Sequence, residues 1–312
     1  MWLNELYQLY EANASQAGVA RVEDAMLLPL AHSEANAQIT VTIGHDGAFR
    51  NAELVADDDR LTMIPATEDS AARSNGIFPH PLCDKLIYVA PDYPAYVKEG
   101  KDKADYHQKY IVDLAAWCAS PYSHAKAQAV LAYLQKGRLI ADLAANGVLK
   151  LDAGGKLDPT AKLRQKTPID QSEAFIRWRV EPSDNSLSCN TWQDASLAQA
   201  WAAYDKARHE DVQLCYVSGQ LAGYAAKHPA RIRNGADKAK LLSSNDTECF
   251  TFRGRFATGG QAFSVGYETS QKAHNALRWI LSRQGYRRDG AAIVAWERDM
   301  RSLPPIFAAT DE

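Results

Sequence analysis

The stretch AQITVTIGHDGAFRNAELV constrains the fold more than any other part of the sequence. Apolar and polar residues alternate on both sides of Asp46-Gly47, and that dipeptide accepts the left-handed backbone of a tight turn, which is a strong hairpin signal. LTMIPA and KLIYVAP read as further strands. Between them lies TEDSAARSNGIFPHPLCD, a loop of small residues with Gly76 and two prolines. Upstream, WLNELYQLY puts Trp2, Leu3, Leu6, Tyr7, Leu9 and Tyr10 at helical spacing, which predicts a short helix burying one face.

Beyond Tyr93 the period changes. HQKYIVDLAAWCAS and HAKAQAVLAYLQKGRLIADLAANG repeat near 3.6 residues, the second ending at Gly147 after an Asn. FIRWRVEP reads as a strand, DASLAQAWAAYDKARH as a helix capped by Asp194 or Ser196, and VQLCYVSGQLAGYA as strand, turn and strand. ECFTFRGRF alternates like a strand, SQKAHNALRWILSRQGY reads as a helix starting at a Ser cap, and AAIVAWE closes as a strand. The expected fold class is α+β: a β-rich N-terminal unit over 1–95, a helical insertion over 96–165 and a second mixed α/β part over 166–312. Repeats and low-complexity blocks are absent from the sequence.

Composition matters mainly for what it excludes. With 46% hydrophobic and 23% charged residues the chain is ordinary globular material, long enough for two domains or one large one. Cys83, Cys118, Cys189, Cys215 and Cys249 are scattered and never at metal-ligand spacing, so they read as reduced thiols. No apolar run approaches the roughly 20 residues that span a bilayer, and the expectation is a soluble cytoplasmic protein with no membrane partner. GxSxG, Walker and HExxH motifs are missing, and no two histidines stand four apart. Asp57-Asp58-Asp59 reads as a solvated charge run, since hard cations need oxygens converging from several segments. Cys215 and Cys249 read as small buried hydrophobes, and Ser218-Gly219 as a turn. The sequence predicts no catalytic residue, metal or cofactor.

One segment does not follow the acidic balance. YAAKHPARIRNG carries Lys227, His228, Arg231 and Arg233 in a chain of net charge -3, and Lys238, Lys240, Arg253 and Arg255 follow against Asp237, Asp246 and Glu248. Clustered Lys and Arg suit phosphate backbones, whose counterions they release, and Ser243-Ser244-Asn245 directly after could fix register. By charge alone, a solvated basic face or a contact with an acidic protein fits as well.

MWLNELYQLYEA, ARSNGIFPHPLCDKLIYV, CYVSGQ followed by KHPARIRNG, KLLSSND, FATGGQAFSVGYETSQKAHNALRWIL and AAIVAWE occur in this order over nearly the whole chain. In that order they resemble the large subunit of the type I-C CRISPR Cascade surveillance complex. Members of that family open with a helix of the form M-I-L-Q-A-L-Y, carry a loop of the form R-T-S-G-I, and follow C-x-x-T-G with H-P and basic residues. Here Ser218-Gly219 replaces Thr-Gly and Ser74-Asn75-Gly76 replaces Thr-Ser-Gly, so the side-chain chemistry of both turns is kept only approximately. Family members are also longer, and the expectation is that their C-terminal helical bundle is absent from this chain.

The resemblance implies a non-enzymatic subunit seated beside the backbone and handle-binding subunits of the guide RNA ribonucleoprotein. It implies recognition of a T-rich protospacer-adjacent motif in double-stranded target DNA, start of R-loop formation, hold on the displaced single strand and recruitment of a helicase-nuclease, with sequence read by guide pairing. In the loop Arg73, Ser74, Asn75, Gly76 and Ile77, Asn75 is the expected base-edge contact and Arg73 the expected phosphate or minor-groove contact, with Phe78 as an unstacking wedge. Lys227, His228, Arg231, Arg233, Lys238 and Lys240, supported by Ser243, Ser244 and Asn245, are then expected to grip DNA. Two other classes stay open: a guide-RNA processing endoribonuclease using Tyr224, Lys227 and His228, and an assembly protein whose basic loop meets an acidic partner. His228-Pro229 also admits a purely structural role, because the residue before proline is held extended.

Overall fold

The computed structural model describes residues 2–19, 26–73, 76–98, 103–163, 168–182, 189–233, 237, 240–242 and 255–297. In chain order these give α1 (Trp2–Ala12), β1 (His32–Asn36), β2 (Ile39–Gly44), β3 (Phe49–Leu54) and β4 (Leu61–Pro65). Six helices follow: α2 (Glu68–Ala71), α3 (Leu86–Val89), α4 (Tyr93–Tyr96), α5 (Ala104–Cys118), α6 (Ala125–Leu134) and α7 (Leu139–Ala145). Then come β5 (Lys162–Leu163), β6 (Ile169–Asp170), β7 (Ile176–Glu181), α8 (Ala195–Ala207), β8 (Val212–Leu214) and β9 (Leu221–Gly223). The last are α9 (Gly259–Ala262), α10 (Tyr267–Gln284), β10 (Tyr286–Arg288) and β11 (Ala291–Ile293). The fold is α+β, with several small sheets.

The chain divides into two compact units, Met1–Ala31 with Asp205–Glu312, and His32–Tyr204. The boundaries expected at 95 and 165 both fall inside the second. The reason is packing: the helices after Tyr93 cover the sheet instead of forming a separate body. β2 is buried along its whole length, pairing antiparallel with β3 and parallel with β7. A strand with both faces covered needs a layer on each side. α6 supplies one, with the Tyr133 ring 5.9 Å from Trp178 of β7 and 6.2 Å from Phe49 of β3. Gly47 makes this approach possible. At φ +69° it turns the hairpin, and a Cβ there would lie 3.0 Å from the Tyr133 amide nitrogen and 3.1 Å from the Ala129 carbonyl oxygen.

On the opposite side Arg177 ties the strands together. It is 2% exposed and donates from Nε to Thr40 Oγ1 (2.9 Å), from Nη1 to the Asp59 carbonyl (2.8 Å) and from Nη2 to Asp59 Oδ2 (2.5 Å). The guanidinium also lies 3.8 Å over the Trp192 ring. Asp59 stays 61% exposed, as expected of the acidic triplet, and in addition neutralises a buried cation whose sequence distance hid the pairing.

Two further elements differ from the sequence reading. KLIYVAP forms the single helical turn α3, because four consecutive apolar residues carry no period that separates helix from strand. α10 starts at Tyr267 instead of at the Ser cap. Gly266, extended and bridged to Tyr224, is its N-cap, and Ser270 is buried one turn in.

In the other unit α1 packs on α10. Leu3, Leu6, Leu9 and Tyr10 meet Ala273, Ala276, Trp279 and Ile280, joined by Leu27, Cys215 and Val265. Polar ties seal the edges: the Tyr10 hydroxyl and Asn275 Nδ2 both donate to the Leu28 carbonyl (3.1 Å each), and Lys272 pairs with Glu11. β8 and β9 form the expected hairpin, turned by Gly219 at φ +71°, and the Cys215 thiol is buried as expected. Of ECFTFRGRF, residues 248–254 lie outside the described residues.

Candidate nucleic-acid interface

The loop after β4 has a built base. Thr67 caps α2 in a reciprocal box with Ser70, whose hydroxyl also meets His80 Nδ1 at 3.0 Å. Asp84, wholly buried, gathers four donors: Arg73 Nη1 and Nη2 at 2.6 Å each, the His80 amide at 2.7 Å and the Lys85 amide at 2.8 Å. Arg73 also donates to the Phe78 carbonyl (3.0 Å) and lies 4.7 Å over the Tyr88 ring. Its guanidinium therefore faces inward and closes the loop. This corrects the expectation that it holds a phosphate or enters a groove. Gly76 is exposed at φ +88°, and a Cβ there would sit 2.7 Å from the Phe78 ring, which is half-buried against it. Ser74 and Asn75 lie outside the described residues.

The cationic segment belongs to the other unit. An antiparallel bridge between Ala230 and Lys240 closes it, and Ile232 anchors it at 6% exposure. Lys227, Arg231 and Lys240 are half-buried, and Arg233 is exposed. Arg231 takes φ +60°, left-handed backbone that a non-glycine residue adopts at a cost. Arg233 donates to Asp237 Oδ2 (2.7 Å) and to the Gly290 carbonyl (2.5 Å). His228 turns away from this set. It is buried, its Nδ1 meets Ser270 Oγ at 2.8 Å, and its ring stacks 6.1 Å from that of His274. Burial, then the neighbouring His274 and Lys240, push its pKa down to about 4. At neutral pH it is an uncharged imidazole and not one of the gripping cations. Lys238, Ser243, Ser244 and Asn245 lie outside the described residues.

A concave polar site that no motif announced lies between α6 and the start of α8. It is a cavity of about 800 Å³ lined by His45, Asp46, His124, Lys126, Asp194 and Ser196 among others. Asp194 accepts from Lys126 Nζ (2.5 Å), Ser196 Oγ (2.6 Å) and the Ser196 amide (2.9 Å). Burial pulls its pKa upward, but the Lys126 and Ser196 bonds outweigh this and hold it at about 2. His124 Nδ1 accepts the Lys126 amide (3.2 Å), which puts the ring proton on Nε2, facing Ser196 Oγ at 3.2 Å. Protons thus run from His124 to Ser196 to Asp194. In that order the Ser196 hydroxyl proton faces a carboxylate whose pKa is held at about 2, a weak base, and not the imidazole. Among the described residues no group of three or more His, Cys, Asp or Glu side chains converges to hold a metal ion.

A family model described as CRISPR-associated protein (Cas_Csd1) matches residues 6–311. The chain belongs to the Cas_Csd1 family. This is the large-subunit family of type I-C CRISPR systems, in agreement with the order of motifs in the sequence. A search of curated proteins found no match. No described helix is long and apolar enough to cross a membrane.

In this Cas_Csd1 chain one charged element, β10, was missed in sequence, while β11 matches the strand expected of AAIVAWE. Tyr-Arg-Arg-Asp-Gly-Ala-Ala-Ile forms the β10–β11 hairpin, with Asp289 (φ +51°) and Gly290 (φ +79°) as its two-residue turn. The signal was present: the same Asp-Gly dipeptide that marks the first hairpin. It was masked by the preceding helix period, which runs into Tyr286.

Proposed function

We propose that this Cas_Csd1 chain is the non-catalytic large subunit of an RNA-guided DNA surveillance complex. It recognises the protospacer-adjacent motif and grips target duplex or displaced strand as the R-loop opens. The family match over residues 6–311 carries the reading, and two geometric features support it. The Arg73–Asp84 brace holds the base of a loop whose exposed Gly76 lets backbone approach a groove, and the amide of Asn75, next to it in sequence, has the donor and acceptor that a base-edge contact needs. In the other unit Lys227, Arg231, Arg233 and Lys240 form a cationic segment suited to phosphates. The partners are then the guide ribonucleoprotein, target DNA and the recruited helicase-nuclease.

The test is binding of a guide-loaded complex, assembled with and without the chain, to duplexes bearing a T-rich or a scrambled motif. Binding is expected to need both the chain and the motif. Asn75→Ala removes the motif preference, and Arg231→Ala weakens all duplexes alike. Equal binding with and without the chain overturns the proposal, and cleavage of repeat RNA by the isolated chain points instead to a processing nuclease.

A further inference from the structure

The β10–β11 ribbon presents arginine in a form that the fold does not use. Between Glu268 and Glu297 the sequence holds Lys272, Arg278, Arg283, Arg287 and Arg288, with Asp289 the sole acid. Lys272 is occupied by Glu11. Arg283 sits in the last turn of α10 over the Trp279 ring at 5.3 Å, where the helix dipole already accounts for a cation.

Arg287 and Arg288 have no such explanation. Both are exposed on β10, and Arg287 makes no ion pair among the described residues. Arg288 meets its neighbour Asp289 at 3.3 Å, with both side chains more than 70% exposed at 75% and 89%, a pair that solvent screens.

Alternation puts Tyr286 and Arg288 on one face of the ribbon and Arg287 on the other. Tyr286 stands opposite Ile293, and these two are 37% and 48% exposed. The turn is fastened to the cationic segment by Arg233, which donates to the Gly290 carbonyl. The ribbon is therefore an extension of that segment, tied to it by a hydrogen bond.

We infer that the β10–β11 ribbon is a further contact for duplex DNA, with Arg287 and Arg288 taking phosphates of the backbone. The inference rests on the function proposed above. A two-stranded ribbon has the width of the major groove, and guanidinium forks match phosphate oxygens in pairs. Both cations are Arg, the residue suited to bidentate phosphate recognition. Arginines on opposite faces reach the two walls of a groove, whereas an acidic protein patch would meet one face. The contact carries no base information, so it acts on every duplex alike.

The test uses the guide-loaded complex with the full chain carrying Arg287→Ala and Arg288→Ala together. Affinity is expected to fall about tenfold for motif and scrambled duplexes equally. The slope of log affinity against log salt flattens by about 1.8, the loss of two phosphate contacts at about 0.9 each. The paired Arg→Gln variant gives the same result, and unchanged thermal unfolding of both variants excludes a folding defect.

If the doubly substituted chain binds with the wild-type affinity and slope, while omitting the chain abolishes binding, the ribbon inference is wrong and the proposed function stands. If omitting the chain changes nothing, the proposed function fails and takes the inference with it. If the variant no longer joins the complex, the ribbon meets protein and the DNA assignment is overturned.

Discussion

The motif loop and the cationic segment hold their polar groups in opposite ways. In the first, a cation is drawn in: Arg73 meets the wholly buried Asp84, and four donors converge on one carboxylate. In the second, the buried anchors are uncharged, His228 and His274 sharing Ser270, while the guanidinium of Arg233 stays at the surface. A guanidinium with a buried carboxylate partner is architecture. The Arg233 side chain pairs with an Asp237 that is only 10% exposed, yet is itself 46% exposed against 19% for Arg73, and residue type alone does not separate the two.

Removing the buried acceptor breaks the comparison most sharply. Asp84→Ala leaves Arg73 and two backbone amides without their partner, and the expected loss is about 3–5 kcal/mol in denaturant unfolding. A much smaller loss means that the loop base is not held by this pair.

Acid acts on the other region. His274, like His228, is held at a pKa of about 4, chiefly by burial and then, against the pull of its bond to the Ser270 carbonyl, by Arg278. Lys240, Arg278 and the partner imidazole are the charged and titratable groups that act on this pair, and no carboxylate among the described residues does. In the unfolded chain each imidazole titrates near 6.5 and binds the proton more readily. Stability is therefore full above about pH 6.5 and declines as pH falls toward 4, by about 3 kcal/mol for each imidazole. Unfolding measured across this window, with His274→Gln as reference, checks the slope. A flat profile places the imidazoles in contact with water.

The smallest effect sharpens the contrast. Arg233→Ala removes a half-exposed cation from Asp237, whose side chain is 10% exposed, so a loss of at most about 1 kcal/mol is expected in denaturant unfolding. Affinity for DNA in the complex is expected to fall.

What was legible in the sequence was local. The Asp46-Gly47 hairpin, α1, α5 and β7 declare themselves through alternation or helical period, and Asp194 declares itself as the cap of α8, accepting the Ser196 and Leu197 amides. The order of motifs also pointed to the family. What stayed hidden was pairing across distance. Asp84 lies 11 residues beyond Arg73, Ser270 lies 42 beyond His228, and Asp59 lies 118 before Arg177. Whether an arginine faces DNA or a buried carboxylate depends on those partners, and no local pattern records them.

The pairing of α1 with α10 sets an order of events on the ribosome. Glu11 and Lys272 are 261 positions apart, so the leucines of α1 emerge first and find their helix last. His32–Tyr204 is contiguous and can close while synthesis continues. The unit bearing the cationic segment cannot, because its core needs both ends of the chain. A nascent chain interrupted before α10 thus carries a finished sheet and, separately, an uncovered amphipathic helix, a substrate for chaperones rather than for assembly.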